Sequence, residues 1–590
     1  MELYLGARED YAMPVPSTSQ PQVRFRGFWI DLTSGEVHKA GQTISLPPKV
    51  FKILQALLER PGEVVTREAL RERLWPADTF VEFDDNLNHA IKKLRQALGD
   101  SADNPEFIET LPGYGYRLIP TEPAEPQAGP KLRALAVLPL ADLSSDPQQE
   151  YMADGITDAL ITEISKIRAV KVISRTSVMQ YKSVQKPLPE IARELRVDGV
   201  IEGTVQYIGK RLRLTVQLID AATDTHLWAD CFERDFQDVF KLQGEVAQAV
   251  AHQIESELTP EESARLAHTR PVNPEAYDAY LKGLFHWYRL SVEHLDRAFS
   301  YFQLALEKDP NCALAHVGIA NVWMMRADAG FLDPADTVPK LRASVLKALE
   351  LDESLAEAHC AYANLITSYD WDWIAGDREF RRAIELGPNS ADAHFMYADY
   401  LISMKRVRDW ATQMKRVREL DPLNPLFQCF YGWHLIYLHH CDEAIAQLHE
   451  ALAADSNFSS AHLGLWGAYY CKGMYPEALE EAQKFFTALN DGQAVTALRR
   501  GYEGGDYHQA MRAAATLLAG RSRHSYVSSV RIARLYAHAG DNRKVIEWLE
   551  RAHEQRASPL VHLLVAHDWD QVRSNPRVQA LMRHMGLPAS

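Results

Sequence analysis

The chain has 590 residues, with 79 Asp and Glu against 64 Lys and Arg, for a formal charge of −15. At roughly 100–200 residues per domain this length implies several domains. A composition of 46% apolar and 24% charged residues is globular usage rather than disorder. No window reaches the roughly 18 uninterrupted apolar residues of a spanning helix, so no membrane span is expected. Residues 1–22 have neither a basic start nor an apolar core, so they do not read as a secretory signal. The six cysteines (231, 312, 360, 429, 441 and 471) contain no C-x-x-C pair, which suits reduced thiols in a cytoplasm. Net acidity argues against nucleic acid unless basic residues concentrate somewhere.

Two stretches punctuate the chain. TEPAEPQAGP at 121–130 is rich in Pro, Glu and Ala and lacks a hydrophobic period, so it reads as an extended linker. A second break covers 258–274, where Pro260, Pro271 and Pro274 cluster. Three blocks follow: 22–120, 131–258 and 274–590.

The first block opens on alternating segments at 23–31, 35–38 and 42–46, which read as strands joined by Gly-containing turns. A helix follows, with Pro47-Pro48 at its start, Val50, Phe51, Leu54, Leu57 and Leu58 on one face, and Pro61-Gly62 at its stop. Thr66 caps a second helix carrying Leu70 and Leu74 and ending at Trp75-Pro76. A third helix spans about 85–98. The block closes on two strands around a turn, 107–110 and 111–118.

On the third helix, Ile91, Leu94 and Leu98 fall within about 40° of Leu87 at 100° per residue. The opposite face holds His89, Lys92, Lys93 and Gln96, with Asn88 and Arg95 at its flank. From Leu87 to Leu98 the charge is +3 with no acid, whereas 22–120 as a whole carries 13 basic and 14 acidic residues. Arg95 lies near the buried stripe and reads as structural. Glu82, Asp84 and Asp85 favour the positive end of the helix.

The phrases PGEVVTREALRERLW, LNHAIKKLRQALGD and FIETLPGYGYRL, in this order, resemble the winged helix-turn-helix of OmpR/PhoB-type effector domains. The same domain opens CadC-like one-component activators. That resemblance implies an α+β winged helix over 22–120 whose third helix enters the major groove of double-stranded DNA. It assigns Lys92 and Lys93 to phosphates or guanine edges, and Asn88, His89 and Gln96 to base edges. Its wing nominates Tyr114, Tyr116 and Arg117, and its mode of binding is compatible with a homodimer on DNA.

Residues 131–258 alternate short apolar strands with helices and read as a small α/β domain. VLPLADLSSDPQQEYMADGITDALITEIS and DGVIEGTVQYIGKRLRLTVQLIDAATDTHLWAD resemble the TolB N-terminal-like domain. The resemblance transfers no catalytic residue and implies an input or interaction domain, with a small-molecule pocket and a structural spacer both open.

In the third block one phrase recurs: ALEKDPNCALAH, ALELDESLAEAH, AIELGPNSADAH, VRELDPLNPLFQ and ALAADSNFSSAH. It begins at Ala305, Ala348, Ala383, Val417 and Ala451, with an insertion near 329–334 lengthening the first spacing. A helix–turn–helix period near 34 residues resembles the tetratricopeptide repeat. About eight units over 274–570 imply an all-α solenoid with an extended concave surface for a protein or peptide partner. The amphipathic tail, within 571–590, reads as a C-terminal cap.

Other signals are set aside. His439-His440-Cys441-Asp442 sits at a helix–helix turn, and consecutive residues do not share a helix face, so no metal is assigned. His316, His359, His394 and His462 share one repeat position and read as packing residues. Tyr369-Asp370-Trp371-Asp372-Trp373 suits a peptide contact or an elongated turn equally. No P-loop, G-x-S-x-G or H-E-x-x-H occurs, so neither an enzyme nor a cofactor is expected. The resulting expectation is a cytoplasmic, one-component transcription regulator with no receiver domain. The alternative is a non-enzymatic interaction scaffold whose winged helix binds protein.

Overall fold

The computed structural model describes residues 22–588 except 26–27, 32–35, 40–41, 60–63, 75–82, 103–104, 112–113, 120–131, 145–149, 209–210, 255–257, 268–272, 290–291, 329 and 331. The linker at 121–130, the helix stops at Pro61-Gly62 and Trp75-Pro76, Gly113 and Glu82 therefore lie outside it, as do the side chains of Asp84 and Asp85. The chain forms two compact units, one within residues 1–129 and the other within 130–590.

The first unit opens with an antiparallel meander of four strands, β1 (Gln22–Phe25), β2 (Phe28–Asp31), β3 (Val37–Lys39) and β4 (Gln42–Ile44). Helix α1 (Pro48–Leu58) starts at the Pro pair, where a missing N–H costs nothing, and buries Val50, Ile53, Leu54 and Leu57. β5 (Val64–Thr66) leads into α2 (Arg67–Leu74), and the Thr66 hydroxyl caps it by accepting the Ala69 N–H at 3.2 Å. After α3 (Phe83–Leu98), strands β6 (Ile108–Leu111) and β7 (Gly115–Leu118) form a hairpin, with β7 between β5 and β6. Gly115 pairs with Thr66 so closely that a Cβ there would stand 2.1 Å from the Val65 carbonyl oxygen. Only glycine lets β7 close onto β5.

The second unit begins with a mixed sheet. Its strands are β8 (Ala134–Val137), β9 (Ala141–Asp142), β10 (Lys171–Val172), β11 (Gly199–Ile208), β12 (Arg211–Asp220) and β13 (Thr225–Asp235). The order is β10-β8-β11-β12-β13, with β9 also on β11. β8 runs parallel to both neighbours and all four of its residues are buried, as a strand covered on both faces requires. β12 alternates exposed and buried residues over most of its length, so one face is open. Helices α4 (Glu150–Ser165), α5 (Arg175–Val178), α6 (Leu188–Leu195), α7 (Val239–Gln253) and α8 (Pro260–Ala267) complete this part.

Eight helix pairs follow among the described residues: α9/α10 (Pro274–Trp287, Val292–Lys308), α11/α12 (Ala313–Asp328, Pro334–Leu351), α13/α14 (Ala356–Leu365, Trp373–Leu386) and α15/α16 (Ala391–Ser403, Val407–Leu420). The remaining four are α17/α18 (Pro425–Tyr437, Cys441–Ala454), α19/α20 (Ser459–Cys471, Tyr475–Ala488), α21/α22 (Gly492–Glu503, Tyr507–Arg521) and α23/α24 (Ser529–His538, Asn542–Glu554). Small residues of the recurring phrase, Ala305, Ala348, Ala383 and Ala451, are wholly buried where helices touch.

The repeated histidines do more than pack. Nε2 of His316, His359, His394 and His462 bonds the carbonyl six residues earlier, at 2.9–3.1 Å. In three of them Nδ1 also reaches the unit's second helix, at Glu379, Gln413 and Glu481. Each ring thus staples an inter-unit turn to its own helix pair.

The sheet and the repeats share one body through two successive inter-unit turns. Asn389 donates from Nδ2 to the carbonyls of Ser165, Ile167 and Val170 at 2.9–3.0 Å, and its Oδ1 accepts from Arg416 at 2.7 Å. In the next turn, Asp421 accepts from the Ser177 N–H at 3.0 Å and the Ser177 hydroxyl at 2.6 Å. The middle block is therefore not an independent bead between linkers; its loops are satisfied by the repeats.

The C-terminal segment does not merely cap the last unit. Two 3-10 turns (Ser558–Leu564, His567–Trp569) and α25 (Pro576–His584) fold back along the first helices of earlier units. The Trp373 indole donates to the Met585 carbonyl at 2.6 Å, and Arg556 donates to the Tyr369 carbonyl at 3.1 Å. Trp371 and Trp373 are buried there, Trp371 beneath Arg556 and stacked on His553. The aromatic run that suggested a peptide site thus receives the chain's own C-terminus.

Candidate nucleic-acid interface

Helix α3 turns Leu87, Ile91, Leu94 and Leu98 into the core, each no more than 2% exposed. Four buried side chains along one stripe fix the rotation of the helix about its axis. Asn88, His89, Lys92, Lys93 and Gln96 consequently face outward and are exposed. Among the described residues neither Lys92 nor Lys93 has an ion-pair partner, so both ammonium groups stand in solvent.

The C-terminal end of α3 is bolted to the hairpin. Arg95, 8% exposed, donates to the Ile108 carbonyl at 2.6 Å and to Thr110 Oγ1 at 2.9 Å. The Asp100 carboxylate accepts the N–H groups of Glu106, Phe107 and Ile108. Arg95 is therefore structural: its guanidinium joins the helix to β6 and is withdrawn from the outer face.

Two nominations from the wing change. Tyr116 is 2% exposed and cannot contact a ligand from β7. Its hydroxyl instead donates to Asn88 Oδ1 at 2.9 Å and accepts from Arg67 at 3.0 Å. Its ring shares strand parity with buried Leu118, a period-two signal legible in the sequence. Arg117 is half-buried and donates from Nε to Glu109 at 2.9 Å, so its charge is already partnered within the hairpin. Tyr114, by contrast, stands 74% exposed at the turn.

Arg67 was not singled out by its sequence context. It opens α2, donates to Asn88 Oδ1 at 3.1 Å and lies over the Tyr116 ring at 5.3 Å. Both internal donors thus converge on the Asn88 carbonyl oxygen, which leaves its amide N–H groups outward. The side chain is held in one orientation before any ligand arrives.

In the second unit, the crevice between α4 and α9 lined by Asp154, Asp158, Arg175 and Tyr288 has no room even for a water molecule, so it is no ligand pocket. Among the described residues no helix is long and apolar enough to cross a membrane.

Residues 41–118 match the family model for the C-terminal domain of transcriptional regulatory proteins. Residues 131–249 match the second domain of HilA/YgeH-like transcriptional regulators. The chain is 31% identical to the putative adenylate cyclase 3 of Rhizobium meliloti over 45% of its own length and 44% of that protein's. It is 23% identical to the transcriptional regulator HilA of Salmonella typhimurium over 78% of this chain and 75% of the relative. Among solved structures, the RstA DNA-binding domain of Klebsiella pneumoniae, crystallised with its RstA box, is 28% identical. It covers 17% of this chain and 100% of that one, with a TM-score of 0.16. By the family models, the chain carries a C-terminal domain of transcriptional regulatory proteins and a HilA/YgeH-like regulator domain, and eight repeated helix pairs follow.

Proposed function

We propose that the chain is a sequence-specific transcription regulator that reads double-stranded DNA through α3. The observation that carries this is the outer face of that helix: two solvent-exposed lysines without acids among them, beside an asparagine whose amide is fixed from behind by Tyr116 and Arg67. Lys92 and Lys93 meet phosphates or guanine edges. The preset Asn88 amide, with His89 and Gln96, discriminates bases, because an oriented amide loses less entropy on pairing with an adenine edge. Tyr114 supplies the wing contact. Binding as a homodimer fits such a site.

The middle domain, whose sequence also resembles TolB-type domains, and the repeats serve as the partner-binding part. They respond to a protein or peptide and work as one body. The protein acts in the cytoplasm and without enzymatic activity: both matched family models are regulator domains. Genome-wide mapping of bound sites, with the full chain and with a Lys92→Ala/Lys93→Ala variant, tests the reading. Discrete sites lost in the variant support it. Equal or absent occupancy in both would leave the scaffold reading, in which the winged helix binds protein.

A further inference from the structure

The turn at 438–441 was set aside as a metal site because its neighbours in sequence diverge. The fold supplies other neighbours. His439 from the α17–α18 turn, Cys471 at the end of α19 and His567 from the C-terminal segment bring one ligand atom each within 4.8 Å of one another. We propose that these three side chains bind a divalent ion of the zinc class and thereby fasten the C-terminal segment to the repeats.

Two features of the cluster favour a metal over a fortuitous contact. The donor set, two imidazoles and a thiol, is that of zinc sites with an open or fourth position. His567 is oriented as metal-bound histidines are: Nδ1 bonds the Asp570 carboxylate at 2.7 Å, which leaves Nε2 for the ion. Arg573 in turn holds Asp570 through a second charged contact.

Cys441 adjoins Cys471 but lies outside the group of three, so solvent takes the fourth position. On binding, Cys471 gives its proton to solvent, and two nitrogen–metal bonds and one sulfur–metal bond replace three waters of the hydrated ion. A site of this composition selects zinc-class ions over Mg²⁺ or Ca²⁺, which take oxygen ligands. Because His567 lies on the returning segment and the other ligands lie on α17–α19, loading ties residues 558–587 to the middle of the repeat array.

The test uses the full chain, stripped of metal with a chelator and titrated with Zn²⁺ against a chromophoric competitor. Co²⁺ absorption then reports the ligands. The expected result is one ion per chain, a tetrahedral Co²⁺ spectrum with a sulfur-to-metal band, and metal-dependent protection of 558–587 from hydrogen exchange. Cys471→Ala and His567→Ala should abolish the band, and Asp570→Asn, which keeps all ligands, should weaken affinity by about 10–100-fold. Absence of stoichiometric binding to the wild-type chain overturns the proposal, as does binding that these variants leave unchanged. So does a Cys441–Cys471 disulfide formed by mild peroxide in a chain that takes up no zinc, which would make the pair a redox couple instead.

Discussion

Replacing Asn389 with Ala removes the side chain that joins the middle sheet to the repeats. Its amide donates to three carbonyls, and its oxygen accepts from Arg416 at 2.7 Å and the Val172 N–H at 3.4 Å, all at a site 3% exposed. Each buried group left without a partner costs roughly 1–3 kcal/mol, and some are recovered by neighbours or entering water. Two such groups lost in full set the expected loss at about 3–4 kcal/mol. Asn389→Asp should cost more than Ala, because it turns an acceptor toward the same three carbonyls. A chain of this size does not unfold in two states, so the assay is native-state hydrogen exchange at 165–172, backed by the first urea transition. The expected result is faster exchange there with the winged helix unaffected. A loss below about 1 kcal/mol with unchanged exchange at Val172 would refute the idea that this contact couples the two parts.

Burial and pairing elsewhere in the fold set further outcomes. Burial pushes the Asp421 carboxyl up to about 6, against hydrogen bonds from Ser177 and Asn424 that favour its charged form. A raised carboxyl binds its proton more tightly in the folded state, so its contribution to stability falls as pH rises from about 4 to about 6. Asp421→Asn lacks this dependence and should gain on the wild type by up to about 3 kcal/mol across that window, measured by urea unfolding at several pH values. A constant difference would contradict the assignment. Tyr116→Phe should cost about 1 kcal/mol of stability and relax base preference at the position Asn88 reads, while leaving non-specific affinity unchanged in a binding assay across site variants. Deleting residues 558–590 should expose Trp373, whose indole donates to the Met585 carbonyl, seen as a red shift in tryptophan emission and new binding of a hydrophobic dye.

The parts of this fold legible in the sequence are those set by local spacing. The inward stripe of α3 follows from four residues at helical intervals, and the repeat period places each helix pair. Pro47-Pro48 and Thr66 mark helix starts because their backbone chemistry acts within one turn. What was not legible depends on returns of the chain. Tyr116 looks like a wing residue until its parity with Leu118 is weighed, and Arg67 becomes informative only once α2 brings it to Asn88. Asn389 and Asp421 sit in turns resembling those of other units, and nothing local says that a sheet packs on them. The meeting of His439, Cys471 and His567 depends on how many units the C-terminal segment passes as it folds back, which a period alone does not fix.

The concentration of basic charge on α3 also recasts the acidity of the chain. Residues 22–120 are nearly neutral, so most of the excess acid lies elsewhere, where it repels DNA and reduces non-specific attraction outside the helix face.

The salt dependence of binding to a mapped site distinguishes phosphate contact by α3 from a merely solvated helix face. If Lys92 and Lys93 each neutralise a phosphate, the double Ala variant should lower the slope of log affinity against log salt by about 1.8 relative to wild type. A parallel loss of affinity at every salt concentration, with the slope unchanged, would contradict phosphate contact by these lysines. Salt-independent wild-type binding would contradict the assignment of α3 as the DNA-reading element.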